Sequence, residues 1–521
     1  MFLPFFLYAE IHHKYKLIPN FLYQKEPEIF MDFPRRVNPD VKKVPFVINI
    51  KDANKFPIVL KNITLKILNP GKKIQKTLFE GREKINTRLY QNIFYFKKSN
   101  NLEGEFPIVI EIHYYINKKE KIVTNHNYKK GPKSLWYIRF SKDHLPAEKN
   151  WYPGDIHFHT SYSEDDVEFG QSPKFSKELG LASGIYFLGL TDHSYDLDDK
   201  DGKYYEKDPD LKKWKRFKRD ISRINSKSVN FVLLPGEEVS TGNSKNKNVH
   251  ALLFGHDKFI PGTGDSTDQP FKNKPDSKLE KFASSIPLSI AAHPFEGYSF
   301  LPALFLRRGK WQNEDFEHVD GIQFYNGLKN QGYFKGKEKW IELLLKGKKI
   351  FTYAGTDAHG DFNRAFKVKI PFLKLVESTK QIAGRVKTYV YSNKKPNKKL
   401  LIKGLKNGNV FISDGPFINI YYKSINDNKY IIGKSINTNK PGKLVVKTKS
   451  SGEFGKLKQL RIYKGNLKEK KEEILLNKNI NSFENREIIN YNCNGERVYI
   501  RAEVLTLKNK EALTNPLFFN Y

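Results

Sequence analysis

The chain is nearly without sulfur: 521 residues hold one cysteine, Cys493, and two methionines. A single thiol excludes a disulfide framework and any multi-cysteine zinc site, and it fits a reducing compartment. Acidic residues are also scarce, with 57 Asp and Glu against 91 Lys and Arg, for a formal net charge of +34. That imbalance invites a nucleic-acid partner. The lysines, however, are spread over every region, as at Lys42-Lys43, Lys72-Lys73, Lys118-Lys119 and Lys468, Lys470 and Lys471, and form no aromatic-interleaved patch. A Lys-rich composition is the favoured reading, and nucleic acid is not the favoured partner, although such a surface would attract phosphorylated small molecules. Long apolar runs are missing too, and none approaches the roughly 20 residues of a membrane span. Met1 to Ala9 is apolar but short and has no positive region before it. The expected location is cytoplasmic, with a truncated signal peptide as the alternative.

What is present suffices for folded cores, since 39% of residues are hydrophobic and 14% aromatic. The length suggests two to four domains. From Glu28 to Phe140, β-branched and aromatic runs (45–50, 58–68, 93–96 and 106–116) are separated by turn signals such as Asn69-Pro70-Gly71, predicting a β-sandwich-like accessory domain over 1–149. The texture changes after Trp151-Tyr152-Pro153-Gly154. Short apolar runs then alternate with helical patterns: Ser172-Pro173 opens a helix to about Ser183, and Leu211, Trp214, Phe217, Ile221 and Ile224 recur at helical spacing. Repeated strand–helix units predict parallel strands with crossover helices, hence an α/β catalytic domain over 150–420. Further strand runs predict a C-terminal β-rich domain over 421–521.

Polar clusters fall mostly where those predicted strands end. His157 and His159 stand at i and i+2 in Gly154-Asp155-Ile156-His157-Phe158-His159-Thr160, so their side chains share one side of a strand. His193, Glu238, His250, His293, Asp357 and His359 follow in comparable positions. Any one such histidine is more often a satisfied core residue than a ligand. Six histidines and two acids at neighbouring strand ends would crowd one another, and a shared cation relieves that. Mixed nitrogen and oxygen donors suit zinc, manganese or iron. More than six ligands exceed one ion's capacity, which argues for two or three divalent ions and for hydrolysis with a bridging hydroxide as nucleophile. His12-His13, His113, His126, His256 and His318 lack such support and are read as structural or surface residues.

Asp155 to Thr160, Leu190-Thr191-Asp192-His193, Gly236-Glu237-Glu238-Val239, Ala292-His293-Pro294 and Gly355-Thr356-Asp357-Ala358-His359 resemble, in order, the motifs of the polymerase and histidinol phosphatase (PHP) family. Lys387 to Tyr391, Lys403-Gly404-Leu405 and Ser413-Asp414-Gly415-Pro416 are similar to its carbaryl-hydrolase-like branch. The resemblance implies a distorted seven-stranded β/α (TIM-like) barrel with up to three metals. His157, His159, Asp357 and Glu238 would hold the first ion, with Glu238 rather than Glu237 because the family carboxylate precedes a Val-like residue. Glu238 would bridge to a second ion on His250 and His293. A third would use His193, His359 and a carboxylate after Ser163. There the sequence departs from the family's Asp-Gly and offers Glu164, Asp165 and Asp166, among which the resemblance does not choose. Asp192 would orient a neighbouring ligand, and His193 or His359 would serve as general acid if not bound to metal. Arg364 is the best candidate phosphate clamp, ahead of Arg307 and Arg308.

The activity this implies is metal-dependent hydrolysis of a small-molecule phosphoester. Alternatives on the same site are a carboxylic or carbamate ester hydrolase and a nucleotide phosphatase or 5′-3′ exonuclease. A degenerate, non-catalytic binding scaffold is the non-enzyme alternative. Oligomeric state is not legible from the sequence.

Overall fold

The computed structural model describes residues 6–8, 26–69, 72–99, 101–128, 134–163, 170–201, 203–262, 275, 277–297, 307–369 and 374–520. The chain divides into two compact units, one made of Met1–His144, Thr160–Gly184 and Ala358–Ala383, the other of Leu145–His159, Ile185–Asp357 and Gly384–Tyr521.

The first unit is built from period-two strands. Gly104–Ile116 alternates strictly, with Phe106, Ile108, Ile110, Ile112 and Tyr114 buried. It lies in a sheet with Arg36–Val37, Trp136–Phe140, Ile58–Asn69 and Lys72–Ile85, while Glu28–Asp32, Lys43–Lys51 and Leu89–Lys97 form a three-stranded sheet. Both sheets contribute to one apolar cluster containing Phe46, Ile48, Leu65 and Ile110. A helix over Pro173–Ser183 follows the Ser-Pro start signal. The buried Asp32 carboxylate gathers this unit's separate segments. It accepts from the backbone N–H of Phe33 at 2.9 Å, of Phe362 at 3.1 Å and of Asn363 at 3.1 Å, and from Gln171 Nε2 at 3.3 Å.

The second unit carries strands β1 (Trp151–His159), β2 (Phe187–Leu190), β3 (Val232–Gly242), β4 (Asn248–Phe254), β5 (Leu288–Ala292), β6 (Gly321–Asn326), β7 (Phe351–Gly355), β8 (Lys387–Tyr391), β9 (Val410–Ser413), β10 (Leu457–Asn466), β11 (Lys471–Asn479), β12 (Val498–Thr506) and β13 (Glu511–Thr514). Its longer helices are α1 (Lys212–Ser226), α2 (Gln331–Leu345) and α3 (Lys398–Lys406). The strands pair in the order β7-β6-β5-β4-β3-β2-β1-β8-β9-β13-β12-β10-β11. Within the region expected to be β-rich, β10 to β13 continue this sheet through β9, while Phe417–Ser424, Lys429–Ile431, Gly442–Lys449 and Glu484–Tyr491 form a four-stranded sheet of their own.

The expected seven-stranded β/α barrel is corrected by this topology. The β1–β2, β2–β3, β5–β6 and β6–β7 pairs are parallel, whereas β3–β4, β4–β5, β1–β8 and β8–β9 are antiparallel. A β/α barrel needs a crossover of a dozen or more residues after each strand. Only residues 243–247 join β3 to β4, which forces a hairpin. Among the described residues the pairing path stays open, with β7 at one end and β11 at the other, and strands far outnumber helices. Where helices do form, the sequence pattern explains them: α1 buries Trp214, Phe217 and Ile221 on one face. Among the described residues no helix is long and apolar enough to cross a membrane.

Candidate metal centre

The site begins where β1 ends. Its register against β2 shifts between Asp155 and Phe158, a bulge beside His157 of the kind that re-aims a side chain. The buried Asp155 carboxylate fixes this strand end by accepting from the backbone N–H of His157 and of Thr356 at 3.1 Å each, from that of Gly384 at 3.0 Å, and from Thr356 Oγ1. Beyond Thr356, the Asp357 N–H donates to the His157 carbonyl at 2.9 Å. Asp357 and His293 both occupy the left-handed backbone region, at φ 52° and 29°. Non-glycine residues held there cost on the order of 1–3 kcal/mol each and cluster at functional sites.

Four donor atoms converge. His157 Nε2 and His159 Nε2 are 3.1 Å apart, and each is 3.2 Å from Asp357 Oδ1. Glu238 Oε2 lies 3.4 Å from the first imidazole and 3.3 Å from the second. Hydrogen bonds do not account for this packing, because two Nε2 atoms supply at most one proton each. His193 Nδ1 also stands 3.1 Å from the buried Oε2 of Glu238, so three imidazoles crowd one carboxylate oxygen. Donors about 2.0–2.1 Å from a tetrahedral zinc are about 3.3–3.4 Å from one another, so these separations match a shared cation.

Glu238 faces a second group with its other oxygen. Its Oε1 is 2.6 Å from His250 Nδ1 and 3.1 Å from His293 Nε2. The hairpin explains the first contact: Ser240 pairs with His250 across β3 and β4, and Glu238 shares the Ser240 side of its strand. Glu237 points to the other side, where its carboxylate accepts from Trp214 Nε1 at 2.6 Å and burial pushes its pKa up to about 8. Glu238 therefore lies within β3, not beyond its end as the sequence suggested.

The electrostatics favour a cation. Burial opposes charge on all four donors of the first group, yet the neighbours win. The carboxylates of Asp357 and Glu238 raise the His157 pKa, and they raise that of His159 well above its usual value. In return, the imidazoles of His250 and His157 hold Glu238 well below the carboxylate range, and those of His157 and His159 do the same for Asp357. A divalent ion would take the place of the imidazolium protons and leave neutral rings facing ionised carboxylates. The residues thus fit a transition metal with mixed nitrogen and oxygen ligands.

Other predicted residues are placed as follows. His193 stacks on Tyr195, with centroids 4.5 Å apart, and its ring is 4.3 Å from that of His159. The Asp192 carbonyl accepts from the Glu238 N–H at 3.1 Å, and the Asp192 side chain is buried. His359 and Arg364 belong to the first unit; His359 is buried, and Arg364 Nη2 donates to the Leu135 carbonyl at 3.2 Å. Glu164, Asp165 and Asp166, like His12-His13, lie outside the described residues. Arg307 and Arg308 run beside Asn248 at the start of β4. His256 Nδ1 is 2.8 Å from the Lys258 carbonyl, and burial lowers its pKa. His113 and His126 sit in the first unit beside Glu120 and Glu377, at 3.7 and 3.8 Å. Sequence reasoning missed Gln323, Asn326, Glu296 and Thr356. The available signal was Gln323, a lone amide inside the otherwise apolar start of β6.

No protein-family model matches the chain, and no curated protein matches it. Among solved structures, the Bacteroides uniformis β-glucuronidase aligns at 10% identity over 94% of this chain and 60% of that one, with a TM-score of 0.18. The Parabacteroides merdae β-glucuronidase aligns at 8% identity over 96% and 64%, with a TM-score of 0.19. A Paenibacillus cycloisomaltooligosaccharide glucanotransferase aligns at 9% over 94% and 71%, also at 0.19. The chain spans about three-fifths of the length of the glucuronidases it matches. Superpositions this loose carry no argument about fold or activity.

Proposed function

We propose that the protein is a metal-dependent hydrolase, with a phosphoester of a small molecule as the favoured substrate. The observation that carries this reading is the division of one carboxylate between two donor groups: Glu238 Oε2 faces His157 and His159, and Oε1 faces His250 and His293. A carboxylate facing two donor groups in this way could serve two cations, the kind of site that supports hydrolytic displacement. The ordered motifs that resemble the PHP family support the same reading, on a mixed sheet instead of a barrel.

Divalent zinc, manganese or iron, when bound, would supply Lewis acidity and an activated water. The chain's own residues supply the rest. His157, His159 and Asp357 would hold one ion, His250 and His293 the other, and Glu238 both. Burial of every imidazole keeps bulk water from competing for the donors. His193, with Nδ1 beside Glu238 Oε2, is the ring best placed to hold a proton for the leaving group.

A carboxylic or carbamate ester is the second reading. Arg364, the expected phosphate clamp, gives one of its five N–H donors to the Leu135 carbonyl, and a neutral ester would need no such clamp. The test is metal analysis of native protein by mass spectrometry, followed by turnover of p-nitrophenyl phosphate, bis(p-nitrophenyl) phosphate and p-nitrophenyl acetate by manganese- or zinc-loaded enzyme. Phosphoester turnover supports the first reading. Acetate turnover alone selects the second, and absence of bound transition metal rejects both.

A further inference from the structure

Behind the first donor group runs a buried chain of side-chain amides. Resting on the metal-centre reading above, we propose that Gln323 and Asn326 are positioning residues that fix the direction of the hydrogen bonds behind the ligands and so hold His157 in its metal-binding tautomer.

The direction follows from the groups at the ends of the chain. Asn326 Nδ2 lies 2.8 Å from Glu296 Oε1 and 3.5 Å from Asp357 Oδ2. Ionised carboxylates only accept hydrogen bonds, so Asn326 turns its NH2 towards them and its Oδ1 away. That oxygen faces Gln323 Nε2 at 3.2 Å, which orients the second amide in turn. Gln323 Oε1 then meets His157 Nδ1 at 2.8 Å, and it has no hydrogen to give. His157 must therefore carry its proton on Nδ1, leaving the Nε2 lone pair for a cation. Reversing Asn326 would set its oxygen against the carboxylate oxygens and its N–H against that of Gln323, and reversing Gln323 would set its oxygen against that of Asn326.

Packing holds the chain in place. Gln323 is fully buried, and the β6–β7 register shifts beside it, between Gln323 and Tyr325. Gly355 on β7 opens the space: a Cβ there would stand 2.6 Å from His157 Cβ and 3.0 Å from Gln323 Nε2. The chain links two ligands of one ion, His157 and Asp357. Through Glu296, whose Oε2 is 3.8 Å from His293 Nδ1, it also ends beside a ligand of the other. When His157 holds a cation, an amide acceptor would leave it a plain neutral imidazole, where a carboxylate would draw its Nδ1 proton and strengthen it as a donor.

The test is competition of full-length metal-free protein with a chromophoric chelator for Zn²⁺, with circular dichroism as the check on folding. Gln323→Leu is expected to bind the first Zn²⁺ about 10–100-fold more weakly, the usual cost of losing such a partner. Gln323→Glu, which keeps an acceptor for His157 Nδ1 but sets a carboxylate oxygen against Asn326 Oδ1, is expected to bind Zn²⁺ more tightly than Gln323→Leu. Asn326→Leu leaves every ligand intact and is expected to weaken Zn²⁺ about tenfold by freeing the Gln323 amide to turn. Wild-type affinity in Gln323→Leu, or in Asn326→Leu should the first variant lose its native dichroism, overturns the proposal. So does a Gln323→Glu protein as weak as Gln323→Leu. If wild type takes up no Zn²⁺ or Mn²⁺ at all, the metal-centre reading itself falls, and the positioning role falls with it.

Discussion

Two adjacent glutamates in β3 have opposite chemistry because a strand alternates its faces. Glu238 is held well below the usual carboxylate range by the imidazoles around it, whereas burial lifts Glu237 to about 8 beside an indole donor. Glu238→Gln should release metal from both groups and lower any hydrolytic activity by 10²-fold or more, since even outer partners of ligands are worth 10–100-fold. Glu237→Gln should keep full metal content and, at neutral pH, change stability by no more than about 1 kcal/mol, because the protonated acid and the amide present similar donors and acceptors. Metal analysis and thermal melts of the two variants check the contrast. Equal metal loss in both would remove Glu238 from its special position.

Among the elements, α2 is tied to the C-terminal strands by a buried cation. Arg501 on β12 donates through Nε and Nη2 to Glu472 at 2.6 Å each and through Nη1 to Glu503. Its guanidinium lies 5.6 Å from the ring centroid of Trp340 on α2 and 4.1 Å from that of Tyr463 on β10. The Arg501 cation, together with Lys337, holds Glu503 down at about 2 against the effect of burial. Removing one member of such a cluster strands the other charges, at about 3–5 kcal/mol. Arg501→Leu is therefore expected to lower unfolding free energy in urea by that amount with metal stoichiometry unchanged in the folded protein. A loss under 1 kcal/mol would show the cluster to be dispensable. The hairpin of β3 and β4 acts at the same scale, because it carries Glu238 and His250 to one side and so builds the second donor group.

At the scale of the whole molecule, the first unit is assembled from segments far apart in the chain, and Asp32 joins three of them. Burial is the largest influence on this carboxyl and lifts its pKa from 3.8 to about 7, against the four donors that favour the anion. A raised folded-state pKa means that the folded form binds the proton more tightly than the unfolded chain. The associated stability is full below about pH 4 and is lost as pH rises through about 7, a change of about 4 kcal/mol at 1.36 kcal/mol per unit. Urea unfolding of the first unit from pH 4 to pH 8 should show that decline. Asp32→Asn should flatten this part of the profile while lowering stability throughout, because an amide nitrogen would face N–H donors. An unchanged slope in the variant would assign the pH dependence elsewhere.

The sequence by itself determined most of the local chemistry. Period-two runs marked the strands of the first unit, Ser172-Pro173 marked a helix start, and His157-x-His159 marked a pair on one side of a strand, because each signal is written in neighbouring residues. The order of His193, Glu238, His250, His293 and Asp357 could also be read as one cluster, and the fold brings these residues together. Only the tertiary structure decided the architecture. Strand–helix repetition cannot show that residues 243–247 close an antiparallel hairpin, and pairing partners are set by long-range hydrogen bonds that no local pattern encodes. Which unit holds His359 and Arg364 was likewise invisible, as was the amide chain behind His157, since Gln323, Asn326 and Glu296 acquire roles only through side chains that folding places within hydrogen-bond reach.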